Sequence, residues 1–206
     1  MRRALLGLLA AVPIWAWVFR GPPSGFWRRM TVGAGALGLF GLVSTPDIRD
    51  DLPEPGDVAI GAASAAGLYV IFQIGDRMAR VVMPTGEEDI ESVYRLRTLA
   101  PRGQIAALLV GIIGPGEELF WRGLVGRAFI RRFGPVRGTA LAAAAYGGTH
   151  LVTGNLTLTG AATVAGAYWG AEYALDPRLG PVLVSHILWD LWIFLLQPTP
   201  TGKKSP

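Results

Sequence analysis

Cysteine is absent from this chain of 206 residues, and histidine occurs only twice, at His150 and His186. Without cysteine, the chain can form no disulfide bond and can carry out no thiol catalysis. A zinc site would have to use histidine and carboxylate side chains. Any chemistry that needs an imidazole is therefore limited to these two positions.

Charged residues are also scarce, at 17% of the chain, whereas a soluble domain carries roughly 25%. Hydrophobic residues make up 51% of the chain, which also contains 28 glycines and 7 tryptophans. Glycine allows membrane helices to pack closely, and tryptophan is enriched at membrane interfaces. The composition therefore predicts an integral protein of the cell membrane, with membrane lipid as a partner.

The net charge of +4 could indicate a nucleic-acid partner. Most of the basic residues, however, are arginines at the ends of apolar segments, where they serve as snorkelling anchors and positive-inside signals. We therefore expect no nucleic-acid partner. The arginines do not predict the membrane orientation, because basic clusters flank both ends of the segment at 104–130.

Seven apolar segments predict an all-α fold, a polytopic transmembrane helical bundle of about seven spans. The first segment also resembles a signal peptide. Because Pro13, Trp15 and Trp17 stand where a cleavage site would need small residues, we interpret it as a membrane helix. The predicted spans cover residues 4–19, 30–43, 58–74, 104–130, 139–152, 156–175 and 181–196.

A polar segment at residues 84–103 interrupts the apolar pattern. Ile90 and Tyr94 share one face of a predicted helix there, and Thr85 and Glu88 have the spacing of a capping box. This pattern predicts an interfacial amphipathic helix. We divide the chain into N-terminal transmembrane helices at 1–83, the interfacial helix at 84–103, a transmembrane core at 104–196 and a disordered basic tail at 197–206.

The fourth apolar segment carries Glu117, Glu118 and Arg122 near its middle. An ionisable side chain in hydrocarbon is costly unless it is paired or hydrated, so three together indicate function. Residues four apart share a helix face, so Glu118 can pair with Arg122, and His186 can pair with Asp190. Glu117 points about 100° away from Glu118. This geometry predicts a supporting role for the Glu118–Arg122 pair and leaves Glu117 for chemistry.

Glutamate and histidine side chains in a dry cavity are sufficient to activate water against a carbonyl group. A carboxylate can act as the general base, and a histidine with a polar neighbour can donate to the oxyanion. Alternatively, Glu117, His150 and His186 could hold a divalent metal such as zinc, for which two histidines and a glutamate are acceptable ligands. The helical HExxH spacing is absent, but both alternatives stay open.

Three motifs follow one another on successive apolar segments. The segment GEELFWRG contains E-E-x-x-x-R, and AAYGGTH places an aromatic residue four positions before His150. The segment from His186 to Asp190 has the form H-x-x-x-[N/D]. In these motifs, residues 104–196 resemble the CPBP family of intramembrane proteases, which includes CAAX endoproteases, bacteriocin-processing proteins and abortive infection proteins.

The resemblance implies a CAAX-type intramembrane endopeptidase with a peptide or protein substrate and a catalytic transmembrane core. Glu117 would be the main catalytic glutamate, and His186 would help it to activate water. His150 and Asp190 would line the oxyanion site. The site residues implied by the resemblance are Glu117, Glu118, Arg122, His150, His186 and Asp190.

Two positions depart from the family's pattern. Tyr146 stands where the usual residue is phenylalanine, which is a mild change. Asp190 stands where the CAAX endoprotease has asparagine. An ionised aspartate cannot donate to an oxyanion, so Asp190 must be protonated or must instead orient His186.

The same residues allow other interpretations. The charged network of the fourth segment can serve helix packing alone, and a histidine in an apolar helix can be a packing residue. The protein can be a non-catalytic immunity or scaffold protein of the same fold, or a proton-coupled transporter that uses the carboxylates as a relay. We favour an enzyme, because a scaffold has no need of Glu117, His150 and His186 together. Glu172, near the end of a span, is interpreted as interfacial.

Overall fold

The computed structural model describes residues 1–51 and 53–196, without the side chains of residues 49–51. The described residues contain helices and no strand, which confirms the predicted all-α fold. The predicted tail at 197–206 lies outside the described residues. The helices are α1 (Arg2–Arg20), α2 (Phe26–Ser44), α3 (Asp57–Val82), α4 (Gly86–Arg95), α5 (Arg102–Phe133), α6 (Pro135–Thr149), α7 (Leu156–Leu175) and α8 (Leu179–Leu196). Short 3₁₀ turns cover Pro23–Gly25, Pro46–Asp51, Leu96–Leu99 and His150–Thr153.

Four of the helices are long and apolar enough to cross a membrane, as judged by length and composition. They are α1, α3, α5 and α8. The other three predicted spans are also helical, as α2, α6 and α7, and they pack against the four long helices. The predicted transmembrane helical bundle is therefore confirmed, whereas the predicted count of seven spans is approximate.

Three hydrophobic clusters lie among the described residues, and the two larger ones join the long helices of the bundle. One includes Trp15 of α1 and Phe120 of α5, both fully buried. The other includes Leu68 of α3 and Trp169 of α7, which are also buried. Helix α8 packs along α3 and contacts α5 at the turn Gly114–Glu118. The polar residues of α5 and α8 therefore meet inside the bundle.

Helices α2 and α5 pack closely through small residues. A Cβ atom added to Gly38 would lie 2.5 Å from the Cα atom of Gly116. A Cβ atom added to Gly116 would lie 2.4 Å from the carbonyl oxygen of Ala34. Both distances are shorter than real Cβ contacts, so this approach requires glycine, as is common where membrane helices touch. The backbone of α2 thus lies directly against the residue that precedes Glu117.

Helix α5 contains wider π-helical turns on both sides of its glutamates. The N–H of Gly114 donates to the carbonyl oxygen of Leu109, and the N–H of Arg127 donates to that of Arg122, each five residues back. Pro115 lies between these turns and has no N–H to donate. Such turns occur frequently at functional sites. Here they flank the short α-helical stretch that carries the glutamates.

Helix α4 has the predicted amphipathic character, with Ile90 and Tyr94 buried against the bundle. The predicted capping box does not form, because the Thr85 side chain caps no backbone N–H. Its hydroxyl instead donates to the Asp89 carboxylate at 3.2 Å. The same Asp89 oxygen accepts a hydrogen bond from Thr157 of α7 at 3.0 Å. Asp89 therefore connects α4 to the start of α7.

Candidate active site

Four of the six residues predicted for the site come from three parts of the bundle and line one cavity of about 150 Å³. Glu117 is on α5, His150 lies in the turn after α6, and His186 and Asp190 are on α8. Tyr146 of α6 lines the same cavity. All five residues are buried. The structure thus brings together residues that are far apart in the sequence.

Glu118 and Arg122 lie beside the cavity and hold one of its histidines. The Nη1 atom of Arg122 donates to Oε1 of Glu118 at 2.8 Å, which confirms the predicted ion pair. The same oxygen accepts a hydrogen bond from Nδ1 of His186 at 2.6 Å. Because the carboxylate can only accept, this bond assigns the proton on Nδ1. One buried oxygen atom therefore joins α5 to α8.

Glu117 has a different partner from that of its neighbour, as the helical geometry predicts. Its Oε2 atom accepts a hydrogen bond from the hydroxyl of Tyr146 at 3.0 Å. Glu118 thus contacts α8, while Glu117 contacts α6 and lines the cavity.

The His150 ring is held from two sides. Its Nδ1 atom donates to the carbonyl oxygen of Tyr146 at 2.9 Å, so Nε2 is the ring nitrogen that remains for a ligand. The ring packs against the Tyr146 ring, with centroids 5.1 Å apart, and against Phe19 of α1, at 5.7 Å. Helix α1 therefore contributes to the cavity wall, which the sequence analysis did not predict.

The predicted pair of His186 and Asp190 is close but not hydrogen-bonded. Nε2 of His186 lies 3.6 Å from Oδ2 of Asp190, which exceeds hydrogen-bond distance. The carboxylate that is hydrogen-bonded to His186 is that of Glu118. The orientation of the His186 ring is therefore set mainly by Glu118, rather than by the residue one turn away.

Sequence reasoning missed Trp169 of α7. Its ring stacks on the His186 ring, with centroids 4.1 Å apart and planes at 24°. The guanidinium of Arg122 lies 5.1 Å from the centroid of the Trp169 ring. Hydrophobic periodicity does not distinguish Trp169 from the adjacent Tyr168, since both lie in an apolar run, and only the packing reveals its contact with the histidine.

A network of hydrogen bonds begins at the indole N–H of Trp169. Its indole N–H donates to the hydroxyl of Ser185 at 3.0 Å, and Ser185 lies 2.9 Å from the hydroxyl of Ser64 on α3. Ser64 donates in turn to Oε2 of Glu172 at 2.7 Å. Glu172 is partly buried and does not line the cavity. The network joins α3, α7 and α8 next to the site.

A metal centre is not supported by the arrangement of these side chains. Glu117, His150 and His186 line one cavity, and because Nδ1 of each histidine is engaged in a hydrogen bond, Nε2 is the ring nitrogen of each that remains for a ligand. Among residues 1–51 and 53–196, no three His, Asp or Glu side chains form a group that could hold a metal ion. We therefore derive no reaction step through a metal.

The fold and the site together define a class of membrane protein in which apolar helices surround a cavity lined by buried ionisable side chains. A family model described as type II CAAX prenyl endopeptidase Rce1-like matches residues 81–192, more than half of the chain. The chain therefore belongs to this family of CAAX-type intramembrane endopeptidases, and the predicted recognition is confirmed. The matched region begins before α4 and contains all three motifs. No curated protein and no solved structure matches the chain.

Family membership supplies the general activity class. CAAX proteases are hydrolases embedded in membranes, and a protease family implies a peptide or protein substrate. The four helices that are apolar enough to cross a membrane agree with this environment.

Proposed function

We propose that the protein is a glutamate-dependent endopeptidase of the cell membrane in which Glu117 activates the attacking water. The observation that carries this proposal is the buried Glu117 side chain at a cavity that His150 and His186 also line. Outside that cavity, Glu118 accepts a hydrogen bond from His186 and is itself paired with Arg122. A charged network that served packing alone would not need a second glutamate facing the cavity.

In the proposed reaction, Glu117 takes a proton from a water molecule as the water oxygen attacks the carbonyl carbon of the scissile peptide bond. His186, oriented by Glu118, helps to hold the water and to share its proton. His150 and Asp190 line the same cavity, and each stabilises the developing oxyanion only in its protonated form, through Nε2–H of a doubly protonated His150 or the O–H of a neutral Asp190. The C–N bond then breaks, and the proton on Glu117 passes to the leaving amine.

An apolar groove offers the substrate a route to this cavity. The groove has a volume of about 430 Å³ and lies between α3, α4, α7 and α8. Phe72, Val93 and Trp189 line both the groove and the cavity, so the two spaces adjoin. We place an apolar part of the peptide or protein substrate in the groove, with its scissile bond beside Glu117.

Peptide cleavage by the purified protein in detergent, assayed against a broad peptide library, tests the proposal. The isosteric change Glu117→Gln removes the basic oxygen, and we expect kcat/KM to fall by at least about 100-fold. The matched control is Glu88→Gln, on the exposed side of α4, which should cleave like the wild type. Full activity of Glu117→Gln would contradict the general-base role.

A second assay separates this proposal from the alternatives. The wild-type protein is reconstituted in liposomes, and proton flux is measured beside peptide cleavage. Flux that depends on Glu117, in the absence of cleavage, would favour a proton-coupled transporter. Neither flux nor cleavage would favour a non-catalytic immunity or scaffold protein of the same fold.

A further inference from the structure

The hydroxyl group of Tyr146 lies at the cavity but has no role in the proposed reaction. It donates a hydrogen bond to Oε2 of Glu117 at 3.0 Å, and both side chains are more than nine-tenths buried. Among the described residues, it is the group that hydrogen-bonds to this carboxylate. The remaining oxygen, Oε1, is left for a water molecule in the cavity.

The position of this hydroxyl is set by packing on several sides of the Tyr146 ring. The ring lies edge-on to Trp121, with centroids 5.0 Å apart, and the guanidinium of Arg122 lies 5.3 Å from its centroid. On the α7 side, a Cβ atom added to Gly166 would lie 2.9 Å from Cδ1 of Tyr146. The ring therefore fits closely against α7, and its hydroxyl has little freedom to leave Glu117.

The family's pattern has phenylalanine at this position, and phenylalanine cannot donate a hydrogen bond. The change to Tyr146, which seemed mild in the sequence, therefore adds a direct contact to the proposed catalytic base. The aromatic ring accounts for the packing in either case. At this position, only the hydroxyl distinguishes the chain from the pattern.

We propose that Tyr146 is a positioning residue that holds the Glu117 carboxylate with Oε1 directed at the attacking water. A glutamate side chain has three rotatable bonds, so a hydrogen bond to one oxygen restricts the orientation of the other. Tyr146 acts through Glu117 and not on the substrate. Its loss should therefore lower kcat and leave KM unchanged. The inference rests on the proposed role of Glu117 as general base.

The test compares Tyr146→Phe with Tyr69→Phe, which makes the same chemical change on α3 away from the cavity. We expect Tyr146→Phe to lower kcat about tenfold, the lower end of the range for a lost hydrogen bond to a charged group, while Tyr69→Phe keeps the wild-type kcat. The infrared band of the Glu117 carboxyl group, assigned by its loss in Glu117→Gln, should shift in Tyr146→Phe and stay in place in Tyr69→Phe.

Gly166→Ala provides a second variant that retains the hydroxyl but displaces the ring. It should shift the same infrared band and lower kcat in the same direction. An unchanged band in both Tyr146→Phe and Gly166→Ala, or an unchanged kcat in Tyr146→Phe, would overturn the inference.

Failure of the proposed function has a separate signature. Activity retained in Glu117→Gln would show that Glu117 is not the general base. The infrared band would still report the hydrogen bond between Glu117 and Tyr146. If Glu117→Gln is inactive while Tyr146→Phe keeps the wild-type kcat, the general base stands and only the positioning role is lost.

Discussion

A single carboxylate oxygen, Oε1 of Glu118, accepts hydrogen bonds from both Arg122 and His186. All three side chains are buried, so little water is present to solvate the charges. Taking one partner from such a group leaves an uncompensated charge in a medium of low dielectric constant. At the residue scale, the integrity of the site therefore depends on this group as much as on Glu117.

The change Arg122→Ala should reduce the free energy of unfolding by about 3–5 kcal/mol, because it leaves Glu118 without its cation. Thermal unfolding in detergent measures the effect. Arg132→Ala is the matched control, since Arg132 is exposed on the same helix and should tolerate truncation. If the two variants unfold at the wild-type temperature, Glu118 and Arg122 do not form a stabilising buried pair.

At the scale of elements, the position of α5 depends on its contact with α2. Gly116 precedes Glu117 and touches the backbone of α2 at Ala34. A side chain there would collide with backbone atoms, which cannot rotate away as a flexible side chain can. The small residues of α2 and α5 therefore set how far Glu117 reaches into the bundle.

The change Gly116→Ala should push α5 away from α2, destabilise the protein by about 1–3 kcal/mol and reduce peptide cleavage. Gly111→Ala is the matched control on the same helix, because a Cβ atom there meets nothing within 4 Å. Alanine favours the helix over glycine, so the control should be neutral or stabilising by about 1 kcal/mol. Both are measured by thermal unfolding and cleavage, and equal behaviour of the two variants would contradict the close helix contact.

At the scale of the whole molecule, both ends of the bundle carry arginine. At one end, Arg20 donates to the carbonyl oxygen of Val152 at 2.7 Å, so α1 ends beside the turn after α6. At the other end, Arg3 donates to the carbonyl oxygen of Ser44 at 3.0 Å. Basic residues at both ends explain why the positive-inside rule does not choose an orientation. The cavity includes Phe19, near the end of α1 that carries Arg20.

Labelling of single cysteines tests this arrangement, and the chain is suited to it because it has no cysteine of its own. Arg28→Cys and Thr98→Cys should react with a membrane-impermeant maleimide from one side of sealed vesicles. Arg132→Cys should react from the opposite side, since α5 separates it from Thr98. All three positions are exposed. Labelling of Thr98→Cys and Arg132→Cys from the same side would show that α5 does not cross.

Several features follow from the sequence alone. Apolar segments of the right length predict the helices, and the i, i+4 spacing predicts the pair of Glu118 and Arg122. The side chains of Glu117 and Glu118 point in different directions because a helix rotates by about 100° per residue. Three ordered motifs were enough to recognise the family, which the family model then confirmed. All of these features depend on local helical geometry or on residue order.

The partners across helices were decided by the tertiary structure. Glu117 meets the hydroxyl of Tyr146, and His186 meets Glu118 and the ring of Trp169. Such contacts depend on the rotation and axial position of each helix relative to its neighbours. Those quantities are set by how closely the helix surfaces approach, through glycines and ring contacts that are distant in the chain. Periodicity along one helix carries no information about them, so only the packed bundle determines which groups share a hydrogen bond.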